Sequence, residues 1–109
     1  MNHATEKVRT LNDAFRRSLS GGSVMMTPGI AALGPDAVTR LVQTLITFDD
    51  FSHENDPHGE HDFGAFDAGG ERVFFKIDYY DKDLQAHSPN PADPKVTQRV
   101  LTLMLASEY

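Results

Sequence analysis

The sequence has no cysteine and no long apolar run. Without cysteine the chain cannot form a disulfide, a thiolate nucleophile or a thiolate-bound zinc or iron–sulfur centre. No apolar run approaches the ~20 residues that a membrane span needs. Met1–Phe15 also lacks the apolar segment and cleavage site of a signal peptide. These absences predict a cytoplasmic prokaryotic protein that does not act in a membrane.

Basic residues are scarce in the centre of the chain. Residues 49–93 contain twelve acidic and three basic side chains, the other residues contain four acidic and seven basic ones, and the net charge is −6. Proteins that read nucleic acid neutralise phosphates with Lys and Arg, so this acidic centre argues against direct nucleic-acid binding. Two explanations remain: the charge keeps the protein soluble, or it attracts a basic protein partner, such as a nucleic-acid-binding protein.

Apolar spacing and turn residues predict a single small α+β domain over residues 1–109. Helices are expected at about 4–20, 35–48 and 93–107, and strands at about 23–27, 62–68 and 72–80. The order helix, strand, helix, hairpin, helix predicts an antiparallel sheet of about three strands with the helices packed on one face. The last helix is expected to be deeply packed, because apolar residues cover more than half of its circumference.

The clearest local pattern is a hairpin with the two-residue turn Gly69-Gly70. Counting back from the turn sets Phe66 opposite Val73, Gly64 opposite Phe75, and His61 opposite Asp78. Gly64 is expected to leave room for the large side chain across from it. A shift of one residue would turn every side chain to the other face, so this register is a strong test of the prediction.

The two faces of the predicted hairpin differ in character. One face is apolar and is expected to join the core: Phe66, Val73, Phe75, Ile77 and Tyr79. The other face mixes aromatic and polar groups: Phe63, Ala65, Phe74, Lys76, Asp78 and Tyr80. Aromatic side chains there would be covered by a homodimer or would line a shallow pocket for a small molecule.

A polar loop of about a dozen residues precedes the hairpin, and loops of that length tend to be functional or disordered. We expect the binding site in this loop and at the end of the second hairpin strand: Asn55, Asp56, His58, Glu60, His61, Asp78 and Tyr80. Asp56, His58 and His61 are residue types that hold Zn, Fe(II) or Mn, which makes a divalent metal the one cofactor to consider. The alternative is that Asn55, Asp56 and His58 bond the loop backbone.

Three residues of the same region are candidates for catalysis, although no complete catalytic set is present. Asp78 opposite His61 would orient the imidazole as a general base. Lys76 would lie beside them as a positive charge for an oxyanion. No nucleophile has a recognisable local motif, and the alternative is a structural His–Asp hydrogen bond with Lys76–Asp78 as a surface ion pair.

Longer stretches of the sequence resemble a known family. NDPHGEHDFGAF (55–66), GGERVFFKIDYYDKDL and SPNPADPKVTQRVLTLMLASEY are similar to small alphaproteobacterial proteins grouped as a domain of unknown function. The resemblance implies no activity, substrate, cofactor or site residue. It implies an accessory gene carried on plasmids and other mobile regions, with a role in plasmid maintenance, transfer or counter-defence. A family does not by itself define a function.

Three hypotheses of function follow from these patterns. The first is a non-enzymatic interaction module that binds another macromolecule through its acidic centre. The second is a metal-dependent or His/Asp-assisted hydrolase centred on the Asn55–His61 loop and Asp78. The third is a small-molecule sensor that uses Phe63, Phe74 and Tyr80. The first is preferred, because the sequence contains no complete catalytic set.

Overall fold

A computed structural model describes residues 3–109, so the first two residues of the predicted domain lie outside the described part. The helices are α1 (His3–Ser18), α2 (Pro28–Ala31) and α3 (Pro35–Thr47). The strands are β1 (Gly22–Met26), β2 (Phe63–Ala68), β3 (Glu71–Tyr80) and β4 (Gln98–Leu105), and a 3₁₀ helix (Ala106–Glu108) follows. The predicted α+β class is confirmed. Within residues 3–109, no helix combines the length and the apolar composition that a bilayer span requires.

The strands form one mixed sheet with the order β1-β4-β3-β2. β3 pairs antiparallel with β2 and with β4, whereas β1 and β4 run parallel. The prediction of about three antiparallel strands is therefore wrong in strand number and in direction. Parallel neighbours need a long connection, and here the connection contains α2, α3 and the whole hairpin.

The helix predicted at about 93–107 is wrong. The chain turns as far as Val96, forms β4 and then enters the 3₁₀ helix. β4 lies between two other strands, and it buries Leu101 and Leu103 on one face and Met104 on the other. A central strand of this kind is apolar at most positions, and apolar spacing alone does not distinguish it from a buried helix.

The core lies between the helices and one face of the sheet. The sheet contributes the apolar face predicted for the hairpin, together with alternate residues of β4. All three helices add side chains to the same cluster: Val8 and Phe15 from α1, Ile30 from α2, and Leu41 and Leu45 from α3. Phe75, Leu101 and Leu103 are fully buried in its centre. This arrangement agrees with the prediction that the helices cover one face.

The predicted hairpin register is confirmed. Phe66 pairs with Val73 and Gly64 pairs with Phe75 across β2 and β3. Gly64 leaves room for aromatic rings, because a Cβ atom there would lie 2.7 Å from the Phe48 ring and would overlap the Phe75 ring. The pairing starts at Phe63, so the predicted contact of residue 61 with residue 78 lies beyond the end of β2.

We predict that Gly64→Ala lowers the free energy of unfolding by about 2–3 kcal/mol, because the new methyl group overpacks a core of rigid rings. Urea denaturation followed by circular dichroism measures the change. Ala65→Ser is the matched control: the neighbouring side chain points to the opposite face, and we expect a change within about 0.5 kcal/mol. Equal effects of the two substitutions would show that Gly64 is not needed for packing.

Candidate functional site

Asn55 and Asp56 shape the loop between α3 and β2 by bonding its backbone. Asp56 is 7% exposed, and its Oδ1 accepts hydrogen bonds from the N–H groups of Glu60 and His61, each at 3.1 Å. Asn55 accepts a bond from the N–H of Ser52 at 2.9 Å. These bonds are typical of Asx side chains in turns. Both residues therefore have a structural task in the loop where we expected a binding site.

His61 anchors this loop to α1. Its backbone has a φ of 57°, which turns the chain before β2 begins. Its Nδ1 lies 2.9 Å from Asp13 Oδ1, and its ring stacks on the Phe51 ring with a centroid distance of 3.8 Å. Its Nε2 lies 3.7 Å from Asp56 Oδ2. The imidazole is thus held between two carboxylates and one aromatic ring.

Asp13 also pairs with a second group, the buried guanidinium of Arg16. Arg16 Nη1 donates to Asp13 Oδ1 at 2.9 Å, and Nη2 donates to the Phe48 carbonyl at 3.0 Å. The Arg16 side chain is completely buried. Burial of Asp13 acts to raise the pKa of its carboxyl, but the hydrogen bonds from His61 and Arg16 outweigh it and lower that pKa. The ionised carboxylate is therefore the stable form in the folded protein.

A second polar group joins α1 to the sheet. Asn12 is fully buried; its Nδ2 donates to the Tyr79 hydroxyl at 2.8 Å, and its Oδ1 accepts from Arg99 Nε at 2.8 Å. The Tyr79 hydroxyl in turn donates to Glu60 Oε1 at 2.8 Å. Burial, followed by the bond to Glu60, raises the pKa of Tyr79, so this phenol stays protonated. Glu60 therefore serves this buried network.

The predicted pair of His61 and Asp78 does not form, because the strand pairing ends before His61 and its backbone turns away. Asp78 instead pairs with Lys76 at 3.1 Å on the sheet surface, which was the alternative for those two residues. His61 and Asp56 do come together, with Asp13 as the added carboxylate. Tyr80 is partly exposed and borders a shallow depression of about 280 Å³ with Asp78.

The predicted metal ligands are arranged differently from a metal centre. His58 is exposed. Burial, and after it the charge of Glu60, raises the pKa of the nearby Asp62 carboxyl. One carboxylate oxygen of Asp56 already accepts hydrogen bonds from two backbone N–H groups. Within residues 3–109, no three His, Asp or Glu side chains are placed to hold one metal ion.

Sequence reasoning missed the residues of α1 and β4 that complete these networks: Asn12, Asp13, Arg16 and Arg99. A signal was available in α1, because positions 12 and 16 lie beside the apolar stripe of Val8, Leu11 and Phe15. Polar residues on a buried helix face need partners. Nothing in the sequence indicated which distant residues supply them.

The second face of the sheet is not covered by an α-helix in the described part of the chain; the buried side chains of α1, α2 and α3 belong to the core on the other side. Tyr109 contacts Phe63 and Phe74, with ring centroids 6.1 and 5.6 Å apart, yet it is 74% exposed. We call this surface the open face; its apolar side chains are Met25, Phe63, Ala65, Phe74, Val100, Met104 and Tyr109.

The fold and these networks define a small α+β protein with a four-stranded mixed sheet and a polar layer under its first helix. The chain belongs to a family described as a protein of unknown function, DUF3768, whose family model matches residues 26–108. Comparison with curated proteins and with solved structures finds no match. The matched region includes His61, Tyr79 and Arg99, whereas their partners Asn12 and Asp13 in α1 precede it.

We predict that Asp13→Asn lowers the free energy of unfolding by about 1–3 kcal/mol at pH 7, because it removes the negative charge beside buried Arg16. The pKa of Asp13 is lower in the folded state, so its stabilisation is complete above the ordinary value of 3.8 and is lost as the pH falls through the folded value. The stability difference between wild type and variant should therefore shrink in acid.

Urea denaturation from pH 7 to pH 3 measures this difference. The control is Asp50→Asn, which changes an exposed acid of the same polar loop and should have an effect within about 0.5 kcal/mol. A difference between wild type and Asp13→Asn that stays constant down to pH 3 would contradict the assigned role of the carboxylate.

Proposed function

We propose that this protein is a non-enzymatic interaction module that binds a basic protein segment on its open face. The observation that carries the proposal is that, within residues 3–109, no helix covers the sheet face that holds this aromatic and apolar cluster. Exposed apolar surfaces with a polar rim are typical of protein–protein interfaces.

The apolar centre of the open face is well suited to be a contact surface. Phe63 and Phe74 pack against each other with a centroid distance of 5.2 Å, and Tyr109 closes one side of them. Met25 on β1 is 57% exposed. Aromatic and methionine side chains are enriched at interfaces because they offer a large contact area.

Acidic side chains surround this centre and favour a basic partner. Glu71 is the first residue of β3, and Asp67 lies on the neighbouring strand β2, where it pairs with Arg72 at 3.2 Å. Asp81 and Asp83 follow the other end of β3, on either side of Lys82. Within the open face, Lys76 pairs with Asp78 and Arg72 pairs with Asp67. Charge complementarity between such a rim and a basic segment would speed association and fix orientation.

The buried arginines make the surface more acidic than the sequence suggests. Arg16 and Arg99 are two of the ten basic residues of the chain, and both are buried in the polar layer under α1. A basic partner of this kind fits a nucleic-acid-binding protein, whose basic groove an acidic surface can occupy. Such a role agrees with the expected counter-defence or plasmid-related function.

A peptide-display selection with random 12-residue peptides and the whole chain as bait tests this proposal. We expect the enriched peptides to combine Lys or Arg with aromatic or aliphatic residues. An enriched peptide is then synthesised, and its affinity is measured at low and high salt. Tyr109→Ser and Met25→Ser should each weaken binding about fivefold or more, as expected for apolar interface residues, and added salt should weaken it further.

Leu84→Ser is the matched control, because Leu84 is 56% exposed but lies in the loop after β3, outside the open face. We expect this variant to bind as the wild type does. The proposal fails if no peptide is enriched, or if Leu84→Ser weakens binding as much as Tyr109→Ser. It also fails if sedimentation shows a dimer that Tyr109→Ser dissociates, since a second copy would then cover the face.

A second candidate function is His/Asp-assisted hydrolysis, and the bond between His61 and Asp13 favours it. Nδ1 of His61 faces a carboxylate that is held ionised, which is how a general base is oriented. The ring is 25% exposed and borders a depression of about 230 Å³ together with Ser52 and His53. The same bond has a structural reading, because it fastens the loop to α1.

Hydrolysis assays with p-nitrophenyl esters and p-nitrophenyl phosphate separate these two readings. General-base catalysis predicts turnover that His61→Gln abolishes while the protein remains folded. The structural reading predicts no turnover by the wild type and a lower melting temperature for His61→Gln. Metal analysis of protein purified without a histidine tag, with thermal shifts in Zn²⁺ and Mn²⁺, tests a metal-dependent version.

A further inference from the structure

Arg99 is a buried cation for which the described residues supply no ion-pair partner. Its side chain is 3% exposed. Nε donates to Asn12 Oδ1 and Nη2 donates to the Pro91 carbonyl, and both acceptors are neutral. The ion pairs within residues 3–109 do not include Arg99. Buried charges are normally paired, because removing a charge from water is energetically costly.

The other buried guanidinium, that of Arg16, is paired with an acidic side chain. Arg16 has Asp13 as a direct carboxylate partner at 2.9 Å. The corresponding acid near Arg99 is Glu60, but its Oε1 accepts the hydroxyl of Tyr79, which stands between them in the network. The Arg99 guanidinium also lies over the Tyr79 ring, 5.2 Å from its centroid, but it has no carboxylate partner within residues 3–109.

One nitrogen of Arg99 is free to bind a ligand. Nη1 has no hydrogen-bond partner in the described chain, and it is not enclosed, since the one buried side-chain polar atom without a partner there is Arg16 Nε. Arg99 lines a depression of about 340 Å³ between α1, the turn after α1 and the segment before β4. Because Arg99 is one of its lining residues, this depression is the place where a ligand could reach Nη1.

We propose that this depression binds a carboxylate attached to an apolar group, with Arg99 Nη1 as the donor at its base. Lys82 lines the same depression and adds a second positive charge at its rim. Leu11, Ala14 and Phe15 of α1 provide an apolar wall, and Ser20 and Gln98 provide polar groups. Sites for small ligands commonly combine such an apolar lining with a few convergent polar groups.

The surroundings favour a singly charged carboxylate over phosphate. The whole chain has a net charge of −6, which repels multiply charged anions. The C-terminal end of α1 lies beside the depression and adds negative partial charge. Arg99 has one free nitrogen, with its other two engaged, so it can donate to a single anion oxygen but cannot form the bidentate pair that carboxylates and phosphates both accept.

Nuclear magnetic resonance of the whole, ¹⁵N-labelled protein tests this site. The probe is phenylacetate, and the signal is the Nε–H cross-peak of Arg99, with that of Arg16 as an internal control. We expect a saturable shift of the Arg99 peak, an unmoved Arg16 peak and no saturable shift with the neutral analogue phenylacetamide. A shift with phenylacetamide equal to that with phenylacetate, or no saturable shift with either, overturns the proposal.

Two lysine variants test the geometry without disturbing the buried network. Lys82→Ala should weaken phenylacetate binding roughly two- to fivefold, the range for an exposed charge pair. Lys95→Ala removes the same charge from an exposed position of the same segment that does not line the depression, and it should bind as the wild type does. Equal weakening by both variants would indicate a general charge effect and would overturn the site.

Further titrations distinguish the source of the carboxylate. N-acetylphenylalanine represents the C-terminus of a peptide, and its amide is the matched neutral control. Tighter binding of N-acetylphenylalanine than of phenylacetate supports a peptide C-terminus, and the reverse order supports a free small acid. Saturable shifts with inorganic phosphate but with neither carboxylate would contradict the proposal.

Discussion

The carboxylate of Asp13 is the interaction on which the arrangement of α1 and the long loop depends. One oxygen accepts both Arg16 Nη1 and His61 Nδ1, each at 2.9 Å. Through these bonds a single charge joins the helix to a loop that has no regular structure of its own. Ordering such a loop costs conformational entropy for every residue, and the bonds made by Asp56 within the loop offset part of that cost.

A layer of polar side chains therefore lies where a purely apolar helix–sheet contact would be expected. Asn12, Arg16 and Arg99 are buried in this layer, and Tyr79 gives it a hydroxyl from the core face of β3. Directional bonds fix the angle and register of α1 on the sheet more narrowly than apolar contacts alone. Because Arg16 and Arg99 are buried in this layer, their positive charges do not contribute to the protein surface.

The parts of the fold that sequence reasoning predicted correctly are those set by short-range chemistry. The two-residue turn Gly69-Gly70 fixes the register of the hairpin by itself, so Gly64 and Phe75 were paired correctly. β1 and β4 pair through residues as far apart as Val24 and Leu101. No local pattern specifies such a partner, and an apolar segment without a known partner fits a helix as well as a central strand.

The difference between short-range patterns and long-range contacts also explains which contacts of the candidate site residues were predicted. The predicted polar loop is present between α3 and β2, because its length and polarity are local properties, and Asp56 and His61 meet in it. The carboxylate that contacts His61 is Asp13 and not the predicted Asp78. The strand pairing begins only at Phe63, and the positive φ of His61 turns the chain before that point. Asp13, the actual partner, lies 48 residues away in α1, and its role is set by helix docking.

β4, which was predicted as part of a helix, also contributes side chains to the open face. β4 lies in the middle of the sheet, and α1, α2 and α3 cover it on one face. On the other face, Met104 is buried by neighbouring side chains, while Tyr109 and Met25 remain exposed. This second face is mixed, because β4 places Gln98 and Thr102 there beside Val100 and Met104. Val100 and Met104, which contributed to the apolar spacing that resembled a buried helix, therefore belong to the open face.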